Sequence, residues 1–150
     1  MGNITIKEAS KNDIPIILGL LYELGRPKPQ KDSEVDSFRK LAKKYITDSD
    51  KQILVAVLDD TRIIGMVSMM FLSRLNRDSF EMYIPELIVI KEHQNQGIGK
   101  QLIDSCIAIA KKKNCHRIRL ESGNQRKESH NFYNHLGFEQ NAQSFTLNVC

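Results

Sequence analysis

The chain has 150 residues, the length of one ordinary domain and enough for a substantial core. Its 41% hydrophobic and 27% charged residues match a globular protein, and no apolar run approaches membrane-spanning length. The net charge of +4 comes from 22 Lys and Arg against 18 Asp and Glu, scattered along the chain. That argues against a nucleic-acid-binding stripe and remains compatible with a small anionic ligand.

Three cysteines (Cys106, Cys115 and Cys150) are odd in number and lack any metal-ligand spacing, so no metal is expected. Free thiols without a framework fit a reducing compartment. The N-terminus is polar and alternating, unlike a signal peptide, and Ile6 stands where a myristoylation motif wants Ser or Thr. The expectation is a cytoplasmic protein.

In chain order, Ile4 and Ile6 open a short strand, and Ser10 or Asp13 caps a helix with Pro15 in its first turn. Ile14, Ile17, Leu18, Leu21 and Leu24 give that helix an apolar face, and Gly25 ends it. Arg26-Pro27-Lys28-Pro29 is a stiff basic loop. A second helix is expected over 33–46, with Val35, Phe38, Leu41, Ala42 and Tyr45 at helical spacing. Strands over 53–58 and 63–71 read as a hairpin, and Gly65 marks a bulge or a close backbone approach. After a polar loop over 73–79 comes a long strand, 80–90, interrupted by Pro85. A helix over 97–113 buries Ile98, Leu102, Cys106 and Ile109 and ends in three lysines that suit its negative pole. A strand over 116–121, a helix over 126–136 and a closing strand over 145–149 complete one mixed α/β domain spanning 1–150. Its first half is largely antiparallel, and a strand–helix–strand crossover follows.

The stretch Gln94-Asn95-Gln96-Gly97-Ile98-Gly99-Lys100 joins an apolar strand to a helix. Two glycines at such a junction bring backbone N–H groups near a ligand at the positive end of the helix, a setting for phosphate or pyrophosphate. Pro85 cannot donate a ladder hydrogen bond, so the strand is disturbed beside the carboxylate of Glu86.

The glycine motif followed by Phe132-Tyr133 and Leu136-Gly137-Phe138 resembles the GNAT superfamily of N-acetyltransferases, most clearly over residues 53–149. The resemblance implies a GNAT fold, a mostly antiparallel twisted sheet of six to seven strands with about four flanking helices. It also implies acetyl transfer from acetyl-CoA to an amine by direct attack in a ternary complex. The matching positions would hold the cofactor: Leu87, Ile88, Val89 and Ile90 by main chain along the pantetheine arm, and Gln94 through Lys100 around the pyrophosphate. A bulge near Pro85-Glu86 would open the strand to it.

The chemistry needs a neutral amine, a polarised thioester carbonyl and a protonated leaving thiolate. Glu86 is the candidate base, directly or through water, or else it orients the acceptor or merely lies at the surface. The Ile88 N–H is placed near the carbonyl. Tyr133 matches the family's general acid, protonated at neutral pH with an ordinary pKa of about 10; the alternative is a core aromatic. The family's frequent asparagine seven residues before this tyrosine is replaced by Arg126, which could meet a phosphate instead. Asn131 is a polar cofactor contact or faces solvent. His93, His130 and His135 read as structural or exposed, and Tyr83 as lining the acceptor side.

The acceptor itself is undetermined. The first two helices and the loops 25–32 and 73–79 would shape its site, and the loop residues Arg26, Lys28, Lys31, Arg74 and Arg77 either suit a negative group or are simply solvated. The remaining alternatives are a CoA-binding regulatory module without turnover and an enzyme acting on protein N-termini or lysines. No nucleic acid or membrane is expected as partner, and the protein would be a monomer or homodimer.

Overall fold

A computed structural model describes residues 2–150, which fall into two compact units, the first ending at Arg119 and the second beginning at Leu120. In the first unit the apolar runs form strands β1 (Ile4–Glu8), β2 (Lys51–Leu58), β3 (Arg62–Leu72), β4 (Phe80–Ile84) and β5 (Leu87–Val89). Strand β6 (Cys115–Leu120) ends at the border of the second unit. The sheet order is β1-β2-β3-β4-β6, with β5 paired to β3. The ladders β1/β2, β2/β3, β3/β4 and β3/β5 are all antiparallel.

Helix α1 (Ile14–Glu23) packs on β3 and β5, α2 (Asp32–Thr47) on β2, and α3 (Ile98–Lys112) on β1, β2, β3 and β5. Successive residues from Ile53 to Val57 are all buried. Since neighbours on a strand point to opposite faces, both faces of β2 are covered, and its apolar run is continuous for that reason. Leu102, Ile103 and Cys106 of α3 have no exposed surface and complete the core. Helix α2 is different: it has no fully buried residue, and Leu41, expected on its inner face, is 64% exposed.

Gly65 does mark an irregularity. The β2/β3 register shifts between Ala56 and Val57, opposite Gly65 and Ile63, so that Ile64 is the extra residue. A Cβ at Gly65 would lie 3.0 Å from the Ile88 carbonyl oxygen, so the glycine also permits the close approach of β5.

The second unit carries α4 (Lys127–His135), which ends at Leu136-Gly137 as the sequence predicts. The expected strand over 145–149 does not form. Residues 138–150 have no regular secondary structure, and Phe145, Leu147 and Val149 are exposed. Alternation of apolar residues distinguishes two faces; it supplies no ladder partner, and here none is taken up.

Candidate active site

The expected long strand over 80–90 is two strands, β4 and β5, with Pro85 and Glu86 between them. Their registers on β3 show what happens there. Tyr83 lies opposite Met70, and Leu87 lies opposite Val67. Four residue steps therefore face three, which is a bulge centred on Ile84-Pro85-Glu86. Beyond it, β6 neighbours β4 and not β5, so among the described residues β5 has a strand on one side only.

The direction of each β5 backbone group follows from the antiparallel ladder. The Glu86 carbonyl accepts from the Ser68 N–H at 2.9 Å, and the Ile90 N–H donates to the Ile64 carbonyl at 2.9 Å, both on β3. Hydrogen bonding alternates along a strand, so Ile88 also faces β3, while Leu87 and Val89 direct their N–H and C=O groups to the open edge. The Ile88 N–H, expected near a substrate carbonyl, thus points away from the opening, and the outward groups belong to its neighbours. One of these is already engaged: Gln94 donates its side-chain amide to the Val89 carbonyl at 2.9 Å.

The bulge sets Glu86 in a small polar cluster. Ser68, buried on β3, accepts the Glu86 N–H at 3.1 Å and donates its hydroxyl to the Glu86 carboxylate in a short hydrogen bond. From the loop after α1, Arg26 donates to the Pro85 carbonyl at 3.0 Å, and its Nε lies 3.7 Å from the second carboxylate oxygen. Tyr45 of α2 donates its hydroxyl to the Met69 carbonyl at 3.2 Å. Burial, and then the negative charge of Glu86, hold the Tyr45 hydroxyl well above its ordinary pKa, so it remains a donor. The Glu86 side chain keeps 22% of its surface exposed. A carboxylate that is oriented through both oxygens and still reached by water can accept a proton from a bound amine.

At the other end of β5, a 3-10 turn over Lys91–His93 leads to Asn95 and Gly97, both with positive φ (62° and 82°). Gly97 is the N-cap of α3, and the 82° value suits glycine without strain. A Cβ there would meet nothing within 4 Å, so the space before the turn is open. The N–H groups of the first helical turn, from Ile98 onward, have no acceptor within the helix and sit at its positive pole. Lys100 is exposed and paired with Asp104 at 2.8 Å. Gln96 lies exposed in the turn between. The donor set fits the phosphates of a nucleotide-like ligand, and the strand edge beside it fits an amide-bearing arm.

In the second unit Tyr133 projects from α4, with edge-on ring contacts to Phe132 and Phe138 at 5.1 and 5.6 Å. Burial raises the pKa of its hydroxyl and the Arg126 charge partly offsets this, so the group stays protonated at neutral pH. Arg126 forms the N-cap of α4. Asn131 is exposed, and its carbonyl meets His135 Nδ1 at 3.1 Å. His130 Nε2 lies 2.9 Å from the Gly123 carbonyl, in keeping with a structural role. Among the described residues no group of His, Cys, Asp and Glu is arranged to hold a metal, and no helix is long and apolar enough to cross a membrane.

An antiparallel sheet covered by helices, opened by a bulge beside a carboxylate and leading into a glycine turn and helix, defines a mixed α/β fold with a candidate site for a nucleotide-like ligand. The chain belongs to the Acetyltransferase (GNAT) family, whose model matches residues 18–138. It is 28% identical over 89 residues to a glucosamine 6-phosphate N-acetyltransferase of Trypanosoma brucei brucei, a match covering 59% of this chain and 58% of that protein. Among solved structures it resembles a transcriptional regulator from Bacillus halodurans, with a TM-score of 0.88 at 27% identity, covering 98% of this chain and 100% of that one. It shares its fold with an aminoglycoside N-acetyltransferase in complex with CoA, with a TM-score of 0.85 at 17% identity over 99% of this chain and 96% of the other.

The sequence offers Glu86 and the glycine turn as candidates, whereas Ser68 and Tyr45, which the structure sets in the polar cluster with Glu86, carry no such signal. Nothing marks Ser68 in a strand of apolar residues. Tyr45 looks like one more member of a helical stripe. The only signal would have been that each interrupts an otherwise apolar face with a hydroxyl.

Proposed function

We propose that the protein is an acetyl-CoA-dependent N-acetyltransferase that joins cofactor and amine in a ternary complex, its 150 residues forming a single catalytic domain. The observation that carries this reading is the continuity of β5. Its open edge begins at an oriented carboxylate, Glu86, and ends at the Gly97 turn. The N–H groups from Ile98 to Lys100 would hold the pyrophosphate. The outward N–H groups of Leu87 and Val89 would meet the amides and the thioester carbonyl, with Leu87, nearer Glu86, as the carbonyl's donor in place of Ile88.

In the reaction Glu86 takes the proton from the acceptor ammonium, directly or through a water. The neutral amine attacks the thioester carbon, and the C–S bond breaks as the new amide forms. Tyr133 donates its proton to the departing thiolate and is restored by the second proton, which the amide nitrogen sheds through solvent. Ser68 and Arg26 position the Glu86 carboxylate and touch no reacting atom. A covalent acetyl-cysteine route has little support, since Cys106 is buried in the core and burial raises its thiol pKa to about 12.

Calorimetric titration of acetyl-CoA tests the cofactor site, with Gly97→Glu as control because it places bulk and negative charge in the open space before the turn. Binding by the wild type that is lost in the variant is the expected result; no binding by the wild type would overturn the assignment. A panel of amines then follows by release of free thiol. Glucosamine 6-phosphate has a place in it because of the trypanosomal relative, as do peptide N-termini and lysine. The likeness to a protein called a transcriptional regulator favours one rival, a CoA-responsive module. Tight binding with no thiol released from any amine, unchanged in Glu86→Gln, would select that rival. Cytoplasmic location and a monomeric or homodimeric state remain part of the proposal.

A further inference from the structure

We propose that the hollow formed by the loop after β3 and the start of β6 is a second anion-binding site, shaped for the phosphoryl or carboxylate group of a small molecule. It has a volume of about 510 Å³ and is lined by Arg74, Asn76, Arg77, His116 and Arg117. All five lining residues are polar or cationic by type, which disfavours a cation, and the volume suits a metabolite rather than a single ion alone.

The charge balance beneath it points the same way. Glu81 of β4 has no exposed surface. Arg74 holds its carboxylate through Nε at 2.9 Å and Nη2 at 2.5 Å, Arg117 through Nε at 3.4 Å, and Arg119 through a short Nε contact. One guanidinium would neutralise this carboxylate, and three converge on it. Arg77, with no ion pair among the described residues, adds a fourth positive charge at the rim. Counting only the three arginines that line the hollow, Arg74, Arg77 and Arg117, against Glu81 and the exposed Asp78 of the same loop, a surplus of one positive charge remains. Arg74 and Arg117 keep 44% and 52% of their side-chain surface exposed. Each guanidinium has five donors in a planar fork, and the carboxylate takes only the inner ones. Ser79 meets His116 Nδ1 at 3.0 Å and fixes that ring at the wall. The buried Glu81 therefore serves as an internal anchor that presents pre-oriented guanidinium edges outward.

This hollow is distinct from the cradle at Gly97. On β3, Leu72 pairs with Glu81 and Gly65 pairs with Val89, seven residues apart. At strand spacing that is about 24 Å, too far for one phosphate to serve both. The inference does not rest on acetyl transfer.

The test is titration of the ¹⁵N-labelled full-length protein with inorganic phosphate at constant ionic strength, with chloride as the balancing salt and succinate as a parallel arm. Saturable amide shifts within 73–79 and 115–117 are expected, weakened at least about tenfold in both Arg77→Gln and Arg117→Gln, each with an otherwise native spectrum. Arg77→Gln removes no ion pair, so its loss of binding cannot be ascribed to unfolding. Succinate matching or exceeding phosphate would assign the carboxylate class; phosphate alone would assign the phosphoryl class. Absence of saturable shifts at about 10 mM of either anion, equal shifts with chloride, or affinities unaltered in both variants would overturn the proposal. Shifts at 97–100 that vanish in Gly97→Glu report on the cradle, and leave the hollow to be judged by its own residues.

Discussion

Replacing Glu81 with glutamine tests whether the buried carboxylate organises this end of the sheet. Burial alone would raise its pKa, but the hydrogen bonds from Arg119 and Arg74, together with the charges of Arg119 and Arg117, outweigh it and bring the pKa from 4.5 to about 2. A carboxylate with a depressed folded-state pKa stabilises the fold above its unfolded value and loses that contribution as pH falls through the folded one. Here the window runs from 4.5 down to about 2. The displacement corresponds to about 3 kcal/mol at neutral pH, taken as an upper figure because the arginines are partly hydrated. Glu81→Gln should therefore lower stability by up to about 3 kcal/mol at pH 7, or about 6–12 °C in Tm for a chain of this size. Urea denaturation of wild type and variant at pH 7, 5, 4 and 3 measures it. The two stabilities should converge as pH falls, since the other carboxylates titrate alike in both proteins. Curves that stay parallel from pH 7 to pH 3 would refute the assignment of this linkage to Glu81.

Tyr133→Phe should lower kcat by about 10²-fold or more with little change in acetyl-CoA affinity, and equal turnover in steady-state assays would end its role as acid. The raised Tyr133 pKa places the alkaline limb of a wild-type kcat–pH profile above the ordinary tyrosine value of about 10; a limb below it would point to another group. Gly65→Ala sets a Cβ 3.0 Å from the Ile88 carbonyl oxygen and 3.4 Å from Val89 Cγ2, and should cost about 1–3 kcal/mol in denaturant unfolding while weakening cofactor binding through displacement of β5. Mass spectrometry after brief alkylation of the native protein should find Cys150 modified and Cys106 intact, because Cys106 is fully buried with a thiol pKa of about 12; early labelling of Cys106 would contradict the packing of α3.

Most elements were legible because their signals are local. Apolar runs bounded by Gly, Pro and Asp gave β2 and β3 to within two residues, and the Gly97 junction fixed the start of α3. The failures are long-range. The alternating Phe145, Leu147 and Val149 have the faces of a strand, but a strand needs a neighbour, and no feature of the segment itself declares one. Leu41 fits a helical stripe, yet α2 rests on β2 through a narrower band that leaves this position in solvent. Glu81 sits among apolar residues in β4 and would be costly in a core by itself; its partners lie 7, 36 and 38 residues away. Pairing across such separations cannot be read from spacing.

The same distinction explains why Glu86 stands out as a candidate in the sequence while its surroundings do not. Pro85 lacks an N–H, which makes a break in the ladder legible at that position. The size and direction of the break depend on β3, where Ser68 takes both the Glu86 N–H and one carboxylate oxygen. Ser68 thereby ties the bulge to the carboxylate's orientation, so that the residue following the proline has its backbone and side chain held from the same hydroxyl. Past that point Leu87 and Val89 face outward because the ladder resumes in a register shifted by one residue. A single inserted residue thus both opens the β5 edge and places Glu86 at its head, and Ser68 is the side chain through which the two are coupled.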